Sequence, residues 1–173
     1  MVGDDRNVIV TIRPGREDDV PALTRIYNHF VEHTHVTFDL EPFAVEARLE
    51  WFGHYAGSGR HRLLVAESAD TGVVGYATSG CFRDKPAYAP SVETTVYCAP
   101  EVAGRGIGSS LYSALFEALA REDVHRAYAG VALPNAASLA LHRRFGFVEI
   151  GTFREVGRKF GTWWDVTWLE RGV

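Results

Sequence analysis

Residues 91–119 read SVETTVYCAPEVAGRGIGSSLYSALFEAL, and this stretch restricts the possible folds more than any other. A β-branched strand leads into a turn carrying Gly104, Gly106 and Gly108, and an apolar-periodic helix leaves it. Amides at a helix start have no intrahelical acceptor and carry partial positive charge, so a glycine turn there can cradle phosphate oxygens. The same glycines would also suit a tight strand-to-helix connection that needs them only for their backbone angles. Two familiar phosphate loops do not match. A nucleoside-triphosphatase loop has Lys after its final glycine, where this chain has Ser109 and Ser110. A dinucleotide-binding fingerprint needs a third glycine at the position of Ser109, within repeated βαβ units.

Around that core the pattern alternates between two periods. Residues 7–13 read as a short strand, followed by a helix with Leu23, Ile26, Tyr27 and Phe30 at helical spacing. A second helix is expected through Phe43, Ala47, Leu49, Trp51 and Phe52, closing on Gly57 and Gly59. Residues 62–67 and 73–82 read as a hairpin, and a proline-containing loop then leads to the strand of the glycine turn. Beyond the turn come the strand HRAYAGVAL, a shorter helix in PNAASLALHRRFGF and a terminal hairpin ending in GTWWDVTW, whose aromatics suit a packed strand or a subunit interface. The order β-α-α-β-β-β-α-β-α-β-β, without repeat or interior linker, predicts one α/β (α+β) domain spanning the chain. Its sheet is central, mixed and mostly antiparallel, flanked by helices.

Composition narrows the partners. The chain has 173 residues and 46% hydrophobic content, enough for a core of its own. A formal net charge of −4 offers no general field for nucleic acid or anionic lipid, so neither partner is expected. Cys81 and Cys98 have no metal-type spacing and read as two buried free thiols, in keeping with a reducing cytoplasm. The N-terminal residues lack a basic region followed by an apolar segment, and no apolar run approaches about 18 residues, so neither secretion nor membrane spanning is expected. His29, His33 and His35 lack the companions of a ligand set, and no metal is expected.

The strand ETTVYCA with VAGRGIGSSLYSAL, followed by LPNAASLALHRRFGF after the next strand, resembles the acetyl-CoA-binding core of the GNAT acetyltransferase superfamily. VETTVY, GIGSSLY, LPNAASLALHRRFGF, GRKFGTWWDV and IYNHFVEHTHVTFDLEP resemble its phosphinothricin acetyltransferase branch, so the likeness spans nearly the whole chain. One departure is Ala103, where the superfamily pattern usually has Gln or Arg three residues before its first matched glycine. The resemblance implies the GNAT fold, acetyl-CoA as cosubstrate and a homodimer. It implies that the amides of Gly104, Arg105, Gly106, Ile107, Gly108 and Ser109 receive the pyrophosphate, with the Arg105 side chain adding charge. Val96, Tyr97 and Cys98 would pair edge-on with the pantetheine arm, which Asn135 and Ser138 also contact. Asn135 equally suits a plain helix cap.

Acyl transfer from a thioester to an amine needs a neutral amine, a polarised carbonyl and a partner for the departing thiolate, and an ordinary amine is mostly ammonium at neutral pH. Strand alternation puts Glu93, Thr95 and Tyr97 on one face and Thr94, Val96 and Cys98 on the other. The resemblance gives Glu93 the role of general base; without it, the residue reads as a solvent-facing carboxylate. His142 stands where many relatives in the superfamily have Tyr, either as acid toward the thiolate or as a packing residue. A strand N–H between Val96 and Tyr97 would polarise the carbonyl. The loop CFRDKPAY brings Arg83, Lys85 and Tyr88 for a small anionic acceptor. By resemblance Phe38, with Thr37, closes the acceptor pocket. The expected activity is acetyl-CoA-dependent N-acetylation of a small amino-acid-like acceptor, such as phosphinothricin or methionine sulfoximine or sulfone, by direct attack in a ternary complex. A protein or peptide amine is the alternative acceptor. A non-catalytic acyl-CoA-binding module is the other alternative, motivated by Ala103.

Overall fold

The strands are β1 (Val10–Pro14), β2 (Arg62–Ser68), β3 (Gly72–Cys81), β4 (Ser91–Cys98), β5 (Arg126–Ala132), β6 (Val148–Lys159) and β7 (Thr162–Gly172). The helices are α1 (Val20–His33), α2 (Val45–Phe52), α3 (Ile107–Leu119) and α4 (Ala136–Arg144). A computed structural model describes residues 9–173 and joins the strands into one sheet of order β1-β2-β3-β4-β5-β7-β6. Every neighbouring pair is antiparallel except β4 with β5, so the expected mixed, mostly antiparallel sheet and the expected element order are both present. The start of the first expected strand, before residue 9, lies outside the described residues. No helix among the described residues is long and apolar enough to cross a membrane.

Around β2 the sheet is covered on both faces, which explains the unbroken apolar run of that strand. Leu63 and Val65 point toward α1 and α2, where they join Leu23, Ile26, Val73 and Tyr76. Leu64 and Ala66 point the other way and join Val92, Leu111, Leu115 and Leu169 beneath α3. Period-two alternation thus feeds two cores from one strand.

Three expectations are corrected. The second helix stops at Phe52 instead of running to Gly57 and Gly59, because Gly53 caps it and the chain then turns through His54 and Tyr55. Its inward face is not the one drawn through Ala47 and Leu49, which are exposed; Val45, Arg48 and Phe52, spaced by three and four residues, share the inner stripe with Trp51. The cysteines are both free, but neither is fully buried. Cys81 is exposed where β3 leaves the sheet, with its thiol donating to the Arg83 carbonyl at 3.1 Å, and Cys98 is half-buried at the end of β4.

The sheet has a built-in gap. β4 and β5 pair only over Ser91–Glu93 with Arg126–Tyr128, after which the two strands part. β3 follows β4 through to Cys98, and β7 follows β5 through to Ala132, so each strand is fully paired on its other side. The gap faces α3 and α4.

Leu111, fully buried on α3, holds that helix and its preceding glycine turn against the sheet. Leu111→Ala should lower unfolding stability by about 2–5 kcal/mol, read from urea denaturation with an unchanged m-value; a loss below about 1 kcal/mol would mean that this contact does not anchor α3.

Candidate active site

Where β4 and β5 diverge, a groove of about 420 Å³ opens, lined by Val96, Tyr97, Cys98, Gly104, Gly106, Gly108, Ser109, Asn135, Ser138 and His142. The structure therefore gathers ten of the residues singled out in the sequence around one groove. From Thr94 onward the β5-facing backbone of β4 has no strand partner, which leaves a ready edge for an extended ligand. At one end lies the start of α3. Gly106 caps that helix at φ +78, a conformation that favours glycine, and the first intrahelical bond runs from Ser110 N–H to the Gly106 carbonyl. The amides of Ile107, Gly108 and Ser109 therefore have no partner within the helix. Gly108 also lets the helix sit close: a Cβ there would meet Leu141 at 3.4 Å and Val96 at 3.8 Å.

Two members of the turn serve in other ways. Ile107 is buried in the core, so only its amide can face a ligand. Arg105 lines a different hollow, with Arg25 and Glu101, on the far side of the turn. Asn135 does cap α4, its Oδ1 accepting from Ser138 N–H at 3.1 Å. It also lines the groove, so its remaining amide donors are available to an occupant.

On the opposite face of β4 lies a second cavity of about 600 Å³, lined by Glu93, Thr95 and Tyr97 from β4, Tyr27 from α1, Arg48 and Trp51 from α2, and Tyr76 from β3, among others. Thr95 and Tyr97 line both spaces, so groove and cavity meet at the middle of β4. Thr95 is held by a 2.8 Å hydrogen bond with Thr78 across the register, and Tyr97 by an edge contact with Tyr27 at 5.1 Å and a tilted one with Phe30 at 5.2 Å.

Burial shifts the titration of the two candidate catalytic groups in opposite senses. The half-buried Glu93 carboxyl is pushed above the usual carboxylate range by desolvation, with the Arg83 charge pulling partly back. His142, 3% exposed, is pushed down by desolvation. Its ring is fully engaged: Nδ1 lies 2.8 Å from the Ser138 carbonyl, which can only accept, so Nδ1 carries the proton. Nε2 therefore accepts from the Tyr112 hydroxyl at 2.9 Å.

The acceptor residues expected from the sequence do not converge. Arg83 and Lys85 line a neighbouring hollow of about 330 Å³ that shares His54, His61, Cys81 and Asp84 with the larger cavity. The Arg83 guanidinium lies over the Phe82 ring at 4.6 Å. Tyr88 is 46% exposed, edge-on to Phe82, and lines neither space. Phe38 lies against β6, where a Cβ on Gly157 would come within 2.5 Å of its ring. Its neighbour Thr37 is buried, sharing a 2.7 Å hydrogen bond with the Tyr27 hydroxyl and accepting from Lys159 Nζ at 2.8 Å through its carbonyl. The loop is thus pinned between α1 and the terminal hairpin. Among the cavity residues that the sequence reading passed over is Arg48. Its signal was a cation in the inward stripe of a short helix, hidden by drawing that stripe one residue off.

The family described as acetyltransferase (GNAT) domain matches residues 12–168. A phosphinothricin N-acetyltransferase of Streptomyces coelicolor is 59% identical, covering 94% of this chain and 95% of that protein. An L-methionine sulfoximine/L-methionine sulfone acetyltransferase of Pseudomonas aeruginosa is 36% identical over 92% of each. A solved GNAT superfamily phosphinothricin acetyltransferase of Sinorhizobium meliloti, in complex with AcCoA, superposes with a TM-score of 0.86 at 30% identity, covering 95% of this chain and 88% of that one.

The Glu93 shift has a consequence for stability. The folded protein holds this proton more tightly than the unfolded chain does, so ionising Glu93 costs stability; the penalty is absent below the ordinary carboxylate range and grows as pH rises through the elevated value. In thermal melts, the Tm of Glu93→Gln minus that of the wild type should therefore widen between about pH 4.5 and about pH 7.5. A gap constant with pH would mean that Glu93 ionises as freely in the folded state as in the unfolded one.

Proposed function

This chain belongs to the GNAT acetyltransferase family, and on that premise we propose that it moves acetyl from acetyl-CoA to the free amine of a small amino-acid-like acceptor. Phosphinothricin and methionine sulfoximine or sulfone are the acceptor types named for its relatives. The observation that carries the reading is that one strand borders both spaces, with Thr95 and Tyr97 lining groove and cavity alike. A donor laid along the β4 edge and an amine in the cavity would meet there, which suits direct attack within a ternary complex.

The residues fit the cosubstrate. Free amides at the start of α3 suit a diphosphate, and the unpaired β4 edge with the spare donors of Asn135 suits an amide-bearing arm. Acetyl-CoA supplies an activated thioester carbonyl. Glu93 accepts the proton of the acceptor ammonium, directly or through a water, and its elevated pKa brings it closer to the pH at which it must work as a base. The Val96 N–H, on the open edge of β4, would donate to the reacting carbonyl oxygen. His142 commits its one ring proton to the Ser138 carbonyl and its other nitrogen to the Tyr112 hydroxyl; it acts as a positioning residue that fixes the α4 wall of the groove.

Two further readings accompany this one. The exposed Phe153, Val156, Phe160 and Trp163 on and beside the edge strand β6 support pairing with a second copy, for which sedimentation at several concentrations is the measurement. Two free cysteines suit a reducing compartment such as the cytoplasm.

Thiol release measured across amino-acid analogues, with an N-terminal peptide amine as a further arm, tests the acceptor class. Glu93→Gln should lower kcat by about 10²–10⁴-fold while leaving acetyl-CoA binding in calorimetry unchanged. Retained turnover in that variant would remove Glu93 from the chemistry, and turnover of the peptide alone would replace the small-acceptor reading.

A further inference from the structure

α2 buries a guanidinium that nothing in the fold neutralises. Arg48 is 6% exposed, in the middle of the inward stripe of an eight-residue helix. Its guanidinium carbon lies 3.6 Å from the Trp51 ring centre, 4.7 Å from that of Tyr27 and 5.6 Å from that of Phe43. Aromatic faces stabilise a cation without cancelling its charge, and they leave the in-plane N–H fork free. Nε is buried with no hydrogen-bond partner. Among the described residues Arg13, Arg60, Arg62, Arg121, Arg143 and Arg154 each meet a carboxylate, while none of the ion pairs uses Arg48. An unpaired buried charge is costly to keep, and a fold that retains one has kept it for a partner that arrives from outside.

The surroundings say what that partner is. Arg48 lines the same cavity as Glu93. It sits at the Tyr27–Tyr76–Tyr97 end, since Trp51 beneath it meets Tyr76 at 6.0 Å and Tyr27 beside it meets Tyr97 at 5.1 Å. Burial holds the phenols of Tyr55, Tyr76 and Tyr97 above their ordinary range, with the Arg48 charge pulling partly back, whereas the cation pulling on Glu93 is Arg83. Cation and carboxyl therefore occupy separate points on one cavity wall, and neither satisfies the other. A zwitterion complements that arrangement: an ammonium toward the carboxyl and a two-oxygen anion on the guanidinium fork. The anion common to every amino-acid acceptor, whether its side chain ends in a charged phosphinate or a neutral sulfone, is the α-carboxylate.

Resting on the amino-acid acceptor read above, we propose that Arg48 is the specificity residue of the acceptor cavity, binding the acceptor's α-carboxylate through its unpaired guanidinium edge while Trp51, Tyr27 and Phe43 hold the fork in place.

The test uses the full chain and three acceptors: methionine sulfone, its carboxamide, and the decarboxylated aminoalkyl phosphinate. Arg48→Met, which keeps length and apolar packing, should raise the methionine sulfone KM by about 30-fold or more, with the acetyl-CoA KM unchanged. The carboxamide and the aminoalkyl phosphinate should already be poor acceptors for the wild type and lose little further in the variant. Arg48→Lys, retaining the charge without the fork, should fall between. A loss of equal size on acid and amide, or one that follows the phosphinate in place of the carboxylate, overturns the proposal. Calorimetry with 4-methylsulfonylbutanoate, an acceptor shape without an amine, separates this claim from the acetylation reading. It should bind wild type and Glu93→Gln alike and bind Arg48→Met at least about tenfold more weakly. Equal binding to all three overturns the Arg48 assignment even if transfer occurs, and a wild type that binds the anion but acetylates none of the amines overturns the acceptor reading alone.

Discussion

The parting of β4 and β5 after three residue pairs is the feature on which the rest of the structure depends. Backbone amides and carbonyls in a protein interior are almost always paired, because an orphaned group costs about as much as a lost hydrogen bond. The run of β4 left open on one side borders the groove, where water or a ligand can answer its amides and carbonyls, and the flanking packing holds it in place. β3 and β7 are each paired along the full opposite edges, so β4 and β5 cannot slide together without breaking a complete ladder. Thr94 sits at the fork, its hydroxyl donating to the Tyr128 carbonyl at 3.3 Å, with the Tyr112 hydroxyl that serves His142 3.4 Å away. α3 and α4 then wedge the gap, with Gly108 allowing the helix start to approach Val96 and Cys98.

The same interior acts on three ionisable groups with three results. His142 is relieved of charge by burial and becomes a neutral strut between the Ser138 carbonyl and Tyr112. Glu93 is half relieved, since desolvation raises its pKa and Arg83 resists. Arg48 meets no carboxylate among the described residues, so the aromatic faces of Trp51 and Tyr27 are what stabilise its guanidinium. Burial is common to all three; what differs is the neighbours available to answer it.

This difference also explains what could be read from the sequence. The glycine turn, the Asn135 cap and the face of β4 that carries Glu93 are set by local rules of backbone angle, capping geometry and period-two alternation, and each appears in the structure where those rules put it. The order of elements was legible for the same reason. Loop side chains were not, because their direction is decided by what they meet far along the chain. Phe38 is drawn to Gly157 of β6, Arg83 to the Phe82 ring, and Tyr88 to the exterior. Arg48 was missed on a finer point. In a helix of eight residues one step of register turns the stripe by about 100°, enough to exchange Ala47 and Leu49 for a buried cation.

The open β4 edge lines the groove, and the elevated Glu93 and the unpaired Arg48 line the cavity that meets it at Thr95 and Tyr97; Glu93 and Arg48 are each unfavourable while the protein stands alone. Polar defects scattered through a core would weaken it piecemeal, whereas these are gathered on one strand and the helix opposite it. Around them the two cores are tightly filled, with Leu23 and Val65 on one face and Leu111, Leu115 and Leu169 on the other fully excluded from water. Burial at those positions offsets the local penalties. A bound pair of ligands would then supply what the fold leaves out: strand partners for β4, a proton for Glu93 and an anion for Arg48. Interactions left unmade in the free protein are available in full to the ligand, which is how a small cavity distinguishes an acceptor carrying the right charges from one of the same size without them.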